Sequence, residues 1–339
     1  MSTKVNVLAF LWESAGLGRR DPLRTMIITM MDTKADRTVT HTVGALTRLF
    51  NTALGADLRL QSLPVPFDLY VEGMEVPVLE EIGAGTAALG VEDPQARADL
   101  LRDPGYRERF RQQWTSWFPG RAYHRDLDEA RILDCPDANV VGRTFGEVAR
   151  DRGDDPIDTF LDLQAEHGQK LRWHTVVGND RPERLEWIMD HPDVLIGFSD
   201  AGAHLRNMAF YNFPLRMLKR VRDAELEGRP FMTVGRAVHR LTAEIADYLG
   251  IDGGTLAPGR PADVVVVDPD RLDDRVEEMH EAPMAGLDGY VRYVRRNPGA
   301  VRSVLVNGDL AWHDDAPGDG LGERAFGDLR RPIDRALHR

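Results

Sequence analysis

Apolar and polar positions change period along the chain, and each change marks an element. Leu23 to Met31 (LRTMIITMM) is apolar almost throughout, a buried segment that periodicity alone assigns to neither helix nor strand. Arg37 to Val43 (RTVTHTV) is short and β-branched and predicts a strand. Leu46 to Leu54 predicts a helix stopped at Gly55, and Asp57 to Leu63 (DLRLQSL) alternates as a strand does until Pro64 and Pro66 end it. This strand, helix and strand succession predicts a βαβ unit and a parallel sheet. Lys4 to Trp12 reads as a further buried strand.

From Tyr70 to about Pro136 the pattern becomes irregular and charged, with Arg-rich helical pieces between Arg97 and Trp117. We read residues 70–136 as an insertion over one end of the sheet, with Trp114, Trp117, Phe118 and Tyr123 forming a small core of their own. Beyond it, Gly142 to Asp151 and Pro156 to Ala165 predict two helices, with Asp155-Pro156 as the turn. Lys170 to Val177 predicts a strand, Arg181 to Asp190 a helix, and Phe213 to Arg222 another. Val234 to Leu249 reads as one amphipathic helix closed by Gly250. After a polar turn come a strand at Val264 to Val267 and a hairpin, Val301 to Asn307 with Asp309 to His313, joined at Asn307-Gly308. The shift in character divides the chain into residues 1–250 and a small β unit at 251–339.

Composition narrows the function classes. With 43 Lys and Arg against 55 Asp and Glu, the net charge is -12, which argues against non-specific nucleic-acid binding and favours a small-molecule substrate. The one cysteine, Cys135, excludes an internal disulfide and a multi-cysteine zinc site and fits a reducing, cytoplasmic setting. The short apolar run from Val5 to Trp12 has the form of neither a signal peptide nor a membrane span.

The chemistry concentrates in Asp193 to His204 (DVLIGFSDAGAH). An apolar strand there ends in Ser199 and Asp200, two glycines flank the turn, and His204 follows. A carboxylate on a rigid strand tip, beside small residues that leave room for substrate, suits proton transfer; capping of the following turn is the plainer role for Asp200. His204, His174 and Arg206 are the candidate substrate-binding residues, with Arg206 suited to a bidentate hold on an anionic group. Gly197-Phe198-Ser199-Asp200-Ala201 approximates the nucleophile elbow of a serine hydrolase, with Asp263 or Asp268 and His280 or His313 available as partners. No phosphate-loop motif occurs.

Four segments carry a family resemblance: the strand end IGFSDAGAH, Leu241-Thr242-Ala243-Glu244, the turn LAPGRPADVVVVDPD and the hairpin VRSVLVNGDLAW. Together they resemble the amidohydrolase superfamily and, within it, the N-acyl-D-amino-acid deacylase (D-aminoacylase) branch, from about Thr38 to Arg330. The resemblance implies an α/β fold, a partial or distorted (β/α)8 TIM-like barrel with a small β-sandwich-type unit. It also implies a divalent metal, zinc, and hydrolysis of a C–N bond in a small N-acyl amino-acid-like substrate. Asp200 matches the acid that takes a proton from metal-bound water. Ser199 lies beside it at the substrate, and His41, placed on a strand, stands about where zinc-using relatives carry a histidine ligand.

The chain departs from that pattern in having no His-x-His pair, which supplies two ligands from one strand side. The matching text begins near the fifth or sixth barrel strand, so the N-terminal half-barrel is expected to be absent or replaced. A half-barrel leaves an apolar sheet face that a homo-oligomer would cover. Three readings stay open: a metal-dependent amidohydrolase, an inactive homologue or ligand-binding remnant, and a serine hydrolase using Ser199.

Overall fold

The computed structural model describes residues 10, 12–16, 22–116, 121–200, 202–284 and 286–329. Strand β1 (Arg24–Ile28) is the first half of the unassigned apolar run. Helix α1 (Val39–Leu54) follows, and β2 (Asp57–Ser62) returns parallel to β1, with Arg24 opposite Asp57 and Ile28 opposite Gln61. The βαβ unit is thus present with a different first strand. Arg37 to Val43 is not a strand, because Thr40, Gly44 and Thr47 form the buried stripe of α1, a helical spacing that overrides β-branched propensity. The helix comes close to the sheet at Gly44, where a Cβ would meet Met30 Cε at 3.2 Å. Most of the strand expected over Lys4 to Trp12 lies outside the described residues; Phe10 and Trp12 themselves are helical.

The expected insertion is part of the main body. Strand β3 (Phe67–Glu72), helices α2 (Gly83–Leu89), α3 (Pro94–Arg102) and α4 (Pro104–Thr115) and strand β4 (Arg131–Asp134) share one core with α5 (Phe145–Arg152), α6 (Pro156–His167) and β5 (Arg172–Gly178). β5 lies between β3 and β4, antiparallel to both. The aromatics expected to form a separate small core instead join this one. Phe160 is its hub, with ring centroids 5.1 Å from Phe145, 5.8 Å from Trp114, 5.9 Å from Trp173 and 6.2 Å from Phe110. Trp117 and Phe118 lie outside the described residues.

Helix α7 (Pro182–Asp190) then leads to β6 (Val194–Ile196), which pairs parallel with β2, Leu60 opposite Val194. Helices α8 (Phe213–Leu226) and α9 (Val234–Leu241) join α7 in covering one face of this parallel sheet through Leu60, Leu185, Ile196, Met217 and Val221. The single helix expected over Val234 to Leu249 is broken at Thr242, whose φ of -131° and ψ of -90° separate α9 from α10 (Ala243–Leu249). Thr242 Oγ1 donates to Val238 O at 2.7 Å, local bonding that competes with the helix ladder. Arg240, wholly buried, donates to His191 O and to Val194 O on the side of β6 away from β2.

The C-terminal unit is a four-stranded antiparallel sheet of β7 (Val264–Val267), β10 (Val301–Val306), β11 (Asp309–His313) and β12 (Ala316–Pro317). Its central turn has positive φ at both Asn307 (52°) and Gly308 (87°), as a two-residue primed hairpin requires. Strands β8 (His280–Pro283) and β9 (Val291–Val294) form a separate hairpin. The fold is α/β. Among the described residues the parallel sheet has three strands in the order β1-β2-β6 and does not close into a barrel, which takes eight. Among the described residues no helix is long and apolar enough to cross a membrane.

Because Phe160 touches four other rings, Phe160→Ala is expected to cost about 3–5 kcal/mol in urea unfolding, and Phe160→Leu clearly less.

Candidate active-site strap

The wholly buried strand β6 delivers the chain at Gly197 to a strap that crosses from the parallel to the antiparallel sheet. Phe198 packs on the large core, and Ser199 and Asp200 are half-buried behind it. Asp200 and His204 both have φ of 50°, and Gly202 has 94°. Left-handed backbone at two non-glycine residues is uncommon and persists where the surroundings impose it. Asp200 O accepts from Ala203 N at 3.3 Å, and His204 O accepts from Asn207 N at 2.7 Å and Met208 N at 3.1 Å. Two tight turns therefore run in succession, leaving His204 exposed.

The far end of the strap is tied to β3. Asn207 Nδ2 donates to Tyr70 O at 2.9 Å and Glu75 O at 2.8 Å, while Tyr70 N donates to Asn207 O at 2.8 Å. Along β3, Asp68, Tyr70 and Glu72 share one face, since side chains alternate on a strand; Tyr70 is opposite His174 and Glu72 opposite Arg172 on β5. Leu69, Val71 and Trp173 fill the core behind. The polar face packs on the β8–β9 hairpin, where Tyr293 N donates to Leu205 O at 2.9 Å.

Two expected substrate-binding residues, His174 and Arg206, meet on this face. The Tyr70 ring lies 4.7 Å from the His174 ring and 5.4 Å from that of Tyr293. Arg206 grips Glu72 with both Nε and Nη2 and sits 5.0 Å over the Tyr293 ring. Below them Asp68 is buried, with Oδ2 2.9 Å from Arg295 Nη2 and 3.8 Å from His174 Nε2. Burial alone would raise the Asp68 pKa, but His174, Arg295 and Arg216 outweigh it and hold the carboxyl below its ordinary 3.8. Asp68, Tyr70, Glu72, Arg172 and Tyr293 escaped the sequence reading, although the alternation in FDLYVE was a usable signal.

His41 lies elsewhere. It is on helix α1 rather than a strand, with its ring 5.5 Å from Trp187. It lines a depression of about 760 Å³ between α1 and α7 with Arg48, Glu186 and His191, to which no strap residue contributes.

Among the described residues no group of three or more His, Cys, Asp or Glu could hold a metal ion. The remaining residues add only Asp21, Asp334 and His338 to the donors. The described residues therefore do not fit the metal centre that the resemblance implies.

A family model described as "Amidohydrolase family" matches residues 117–311, more than half of the chain. The chain belongs to the amidohydrolase family. It is 44% identical over 323 residues to an uncharacterized protein of Mycobacterium tuberculosis (strain ATCC 25618 / H37Rv), covering 94% of this chain and 53% of that one. It is 30% identical over 129 residues to a 5-methylthioadenosine/S-adenosylhomocysteine deaminase of Symbiobacterium thermophilum, covering 37% of this chain and 28% of that one. Similar solved structures include an N-acyl-D-glutamate deacylase from Bordetella bronchiseptica complexed with zinc and a phosphonate inhibitor, at TM-score 0.49 and 20% identity, covering 96% of this chain and 53% of that one. A D-aminoacylase has TM-score 0.48 and 19% identity, with the same coverage, 96% and 53%. The chain spans about half the length, 53%, of the mycobacterial relatives it matches.

A carboxyl with a lowered folded-state pKa contributes stability above its unfolded pKa and loses it as pH falls through the folded value. Asp68→Asn is therefore expected to cost about 3–5 kcal/mol at pH 7, where the mutation leaves Arg295 buried without its carboxylate. The gap from the native protein should narrow below pH 4, as urea unfolding at both pH values checks.

Proposed function

We propose that this amidohydrolase-family chain serves hydrolysis of a non-peptide C–N bond in a small acylated amino-acid-like molecule, as in the D-aminoacylase branch, with Asp200 as the proton carrier. The observation that supports this most is Asp200 itself, half-buried on a left-handed turn directly after a buried parallel strand. Ligands of open α/β sheets gather at the carboxyl ends of the strands. In this reading the Asp200 carboxylate takes a proton from the attacking water and returns it to the leaving nitrogen. Ser199 and His204 line the same strap, and His174 and Arg206 face the substrate's polar end.

We further propose two units, residues 1–250 and 251–339, the second bracing the strap through β8–β9. A cytoplasmic protein acting on small molecules accords with the net charge of -12 and the lone cysteine, and a homo-oligomer would cover the apolar sheet face that a half-barrel leaves.

The donor set favours a second reading, a homologue that binds its ligand without turning it over. The serine-hydrolase reading finds no support in the partners it needs. His313 lies 2.9 Å from Ser303 Oγ and 3.2 Å from Asp314, His280 lies 3.6 Å from Glu278, and Asp263 accepts from Asn307 N.

Hydrolysis of N-acyl-D-amino acids by the purified protein, with and without added ZnCl2, tests the catalytic reading. Asp200→Asn is expected to lower the rate about 10²–10⁴-fold. An unchanged rate removes Asp200 from its role, and no turnover in any native preparation favours the binding-only homologue.

A further inference from the structure

Beyond the grip of Arg206 on Glu72, a second acid enters the same cluster from the opposite side. Glu281, on β8 opposite Tyr293, places Oε1 against Arg172 Nη2 and 3.3 Å from Arg206 Nη2. Arg172 also donates to Tyr293 Oη at 2.5 Å and lies 3.4 Å from Glu72 Oε1. The two guanidinium groups sit over one face of chemistry, 5.0 and 5.7 Å from the centroid of the Tyr293 ring.

The two carboxylates in this cluster are held differently. Glu72 closes the β3–β5 ladder opposite Arg172, its side chain is 26% exposed, and it takes both prongs of Arg206. Glu281 is 41% exposed and lies on β8, whereas the anchoring bond of the hairpin, Tyr293 N to Leu205 O, is made by β9. A single carboxylate oxygen shared by two arginine Nη2 atoms, beside a tyrosine hydroxyl, is how a protein binds the carboxylate of a small acid.

We propose that Arg172 and Arg206 form a carboxylate-binding subsite, six residues along the strap from Asp200, which Glu281 of the same chain occupies in this structure. The subsite deepens the functional reading above and rests on it for its substrate, an acylated amino acid whose free carboxylate displaces Glu281. Displacement exchanges one carboxylate for another between the same cations, so charge balance is kept. Only the Glu281 side chain has to swing aside, and the hairpin keeps its bond from Tyr293 N to Leu205 O. Tethering gives Glu281 a high effective concentration at the arginines, and binding by a free acid is weakened accordingly.

Calorimetric titration with N-acetylglycine, using N-acetylglycinamide as the uncharged control, reads the subsite without requiring turnover. Glu281→Ala is expected to bind the acid about tenfold more tightly than the native protein, with no change toward the amide. Adding Arg172→Ala or Arg206→Ala should abolish the gain. Glu281→Gln keeps the shape of the side chain and should act in the same direction, which guards against a fold defect in the alanine variant. Binding of the acid no tighter in either variant than in the native protein overturns the proposal, as does a gain that survives loss of both arginines. Tightened binding in a protein that never hydrolyses its acyl substrates would overturn the catalytic reading and leave the subsite standing.

Discussion

The geometry of the strap depends on a buried carboxylate, Asp32. Its side chain is wholly inaccessible, and it accepts from Arg181 through Nε at 2.7 Å and Nη2 at 2.5 Å and from Arg37 at 3.0 Å. The Asp32 backbone exchanges bonds with Asn179, N to Oδ1 at 2.9 Å and O from Asn179 N at 2.9 Å. Asn179 in turn donates to Leu63 O and Val65 O at 3.0 and 3.1 Å, from a backbone with φ of 58°. The segment after β1, the segment after β2 and the end of β5 therefore meet at one charged knot. A buried acid is tolerated only with such partners, since its desolvation is otherwise severely unfavourable. The knot sets the parallel sheet against the antiparallel one, and the strap begins on the first and ends on the second.

That arrangement explains how the two turns at Asp200 and His204 are held. Left-handed backbone at a non-glycine residue costs of order 1–3 kcal/mol, and isolated loops relax it. Here the strand before the turns is buried and the asparagine after them is bonded to two carbonyls, so the chain between has a fixed span. The strained backbone falls on the two residues of the segment that carry titratable side chains, Asp200 and His204.

Elements with purely local signals were legible in the sequence. The Thr144 capping box that opens α5, the Asp155 cap of α6, the β-branched run of β7 and the Asn307-Gly308 turn all carry their instructions within a few residues. The misread elements are those whose fate is settled by distant contacts. Thr40 and Thr47 turn inward because a sheet covers them, and β3 exists because β5, about a hundred residues later, pairs with it. The site divided along the same line. Asp200 and His204 were visible as a motif, whereas Arg172 and Glu281 stand 109 residues apart and Arg206 and Glu72 stand 134 apart. No single-sequence pattern announces such pairs.

The Arg240 side chain has a consequence for the parallel sheet as a whole. In a parallel ladder, alternate carbonyls of a strand point to opposite neighbours. Asp193 O serves β2 by accepting from Leu60 N, and Val194 O points the other way, into the buried guanidinium. A side chain thus stands where a neighbouring strand would begin, and β6 is a sealed margin. Among the described residues β1, at the opposite margin, pairs with β2 alone, and the side chains of Met26 and Ile28 are exposed. Growth of this sheet beyond β6 is therefore blocked at Val194, whatever would supply the next strand.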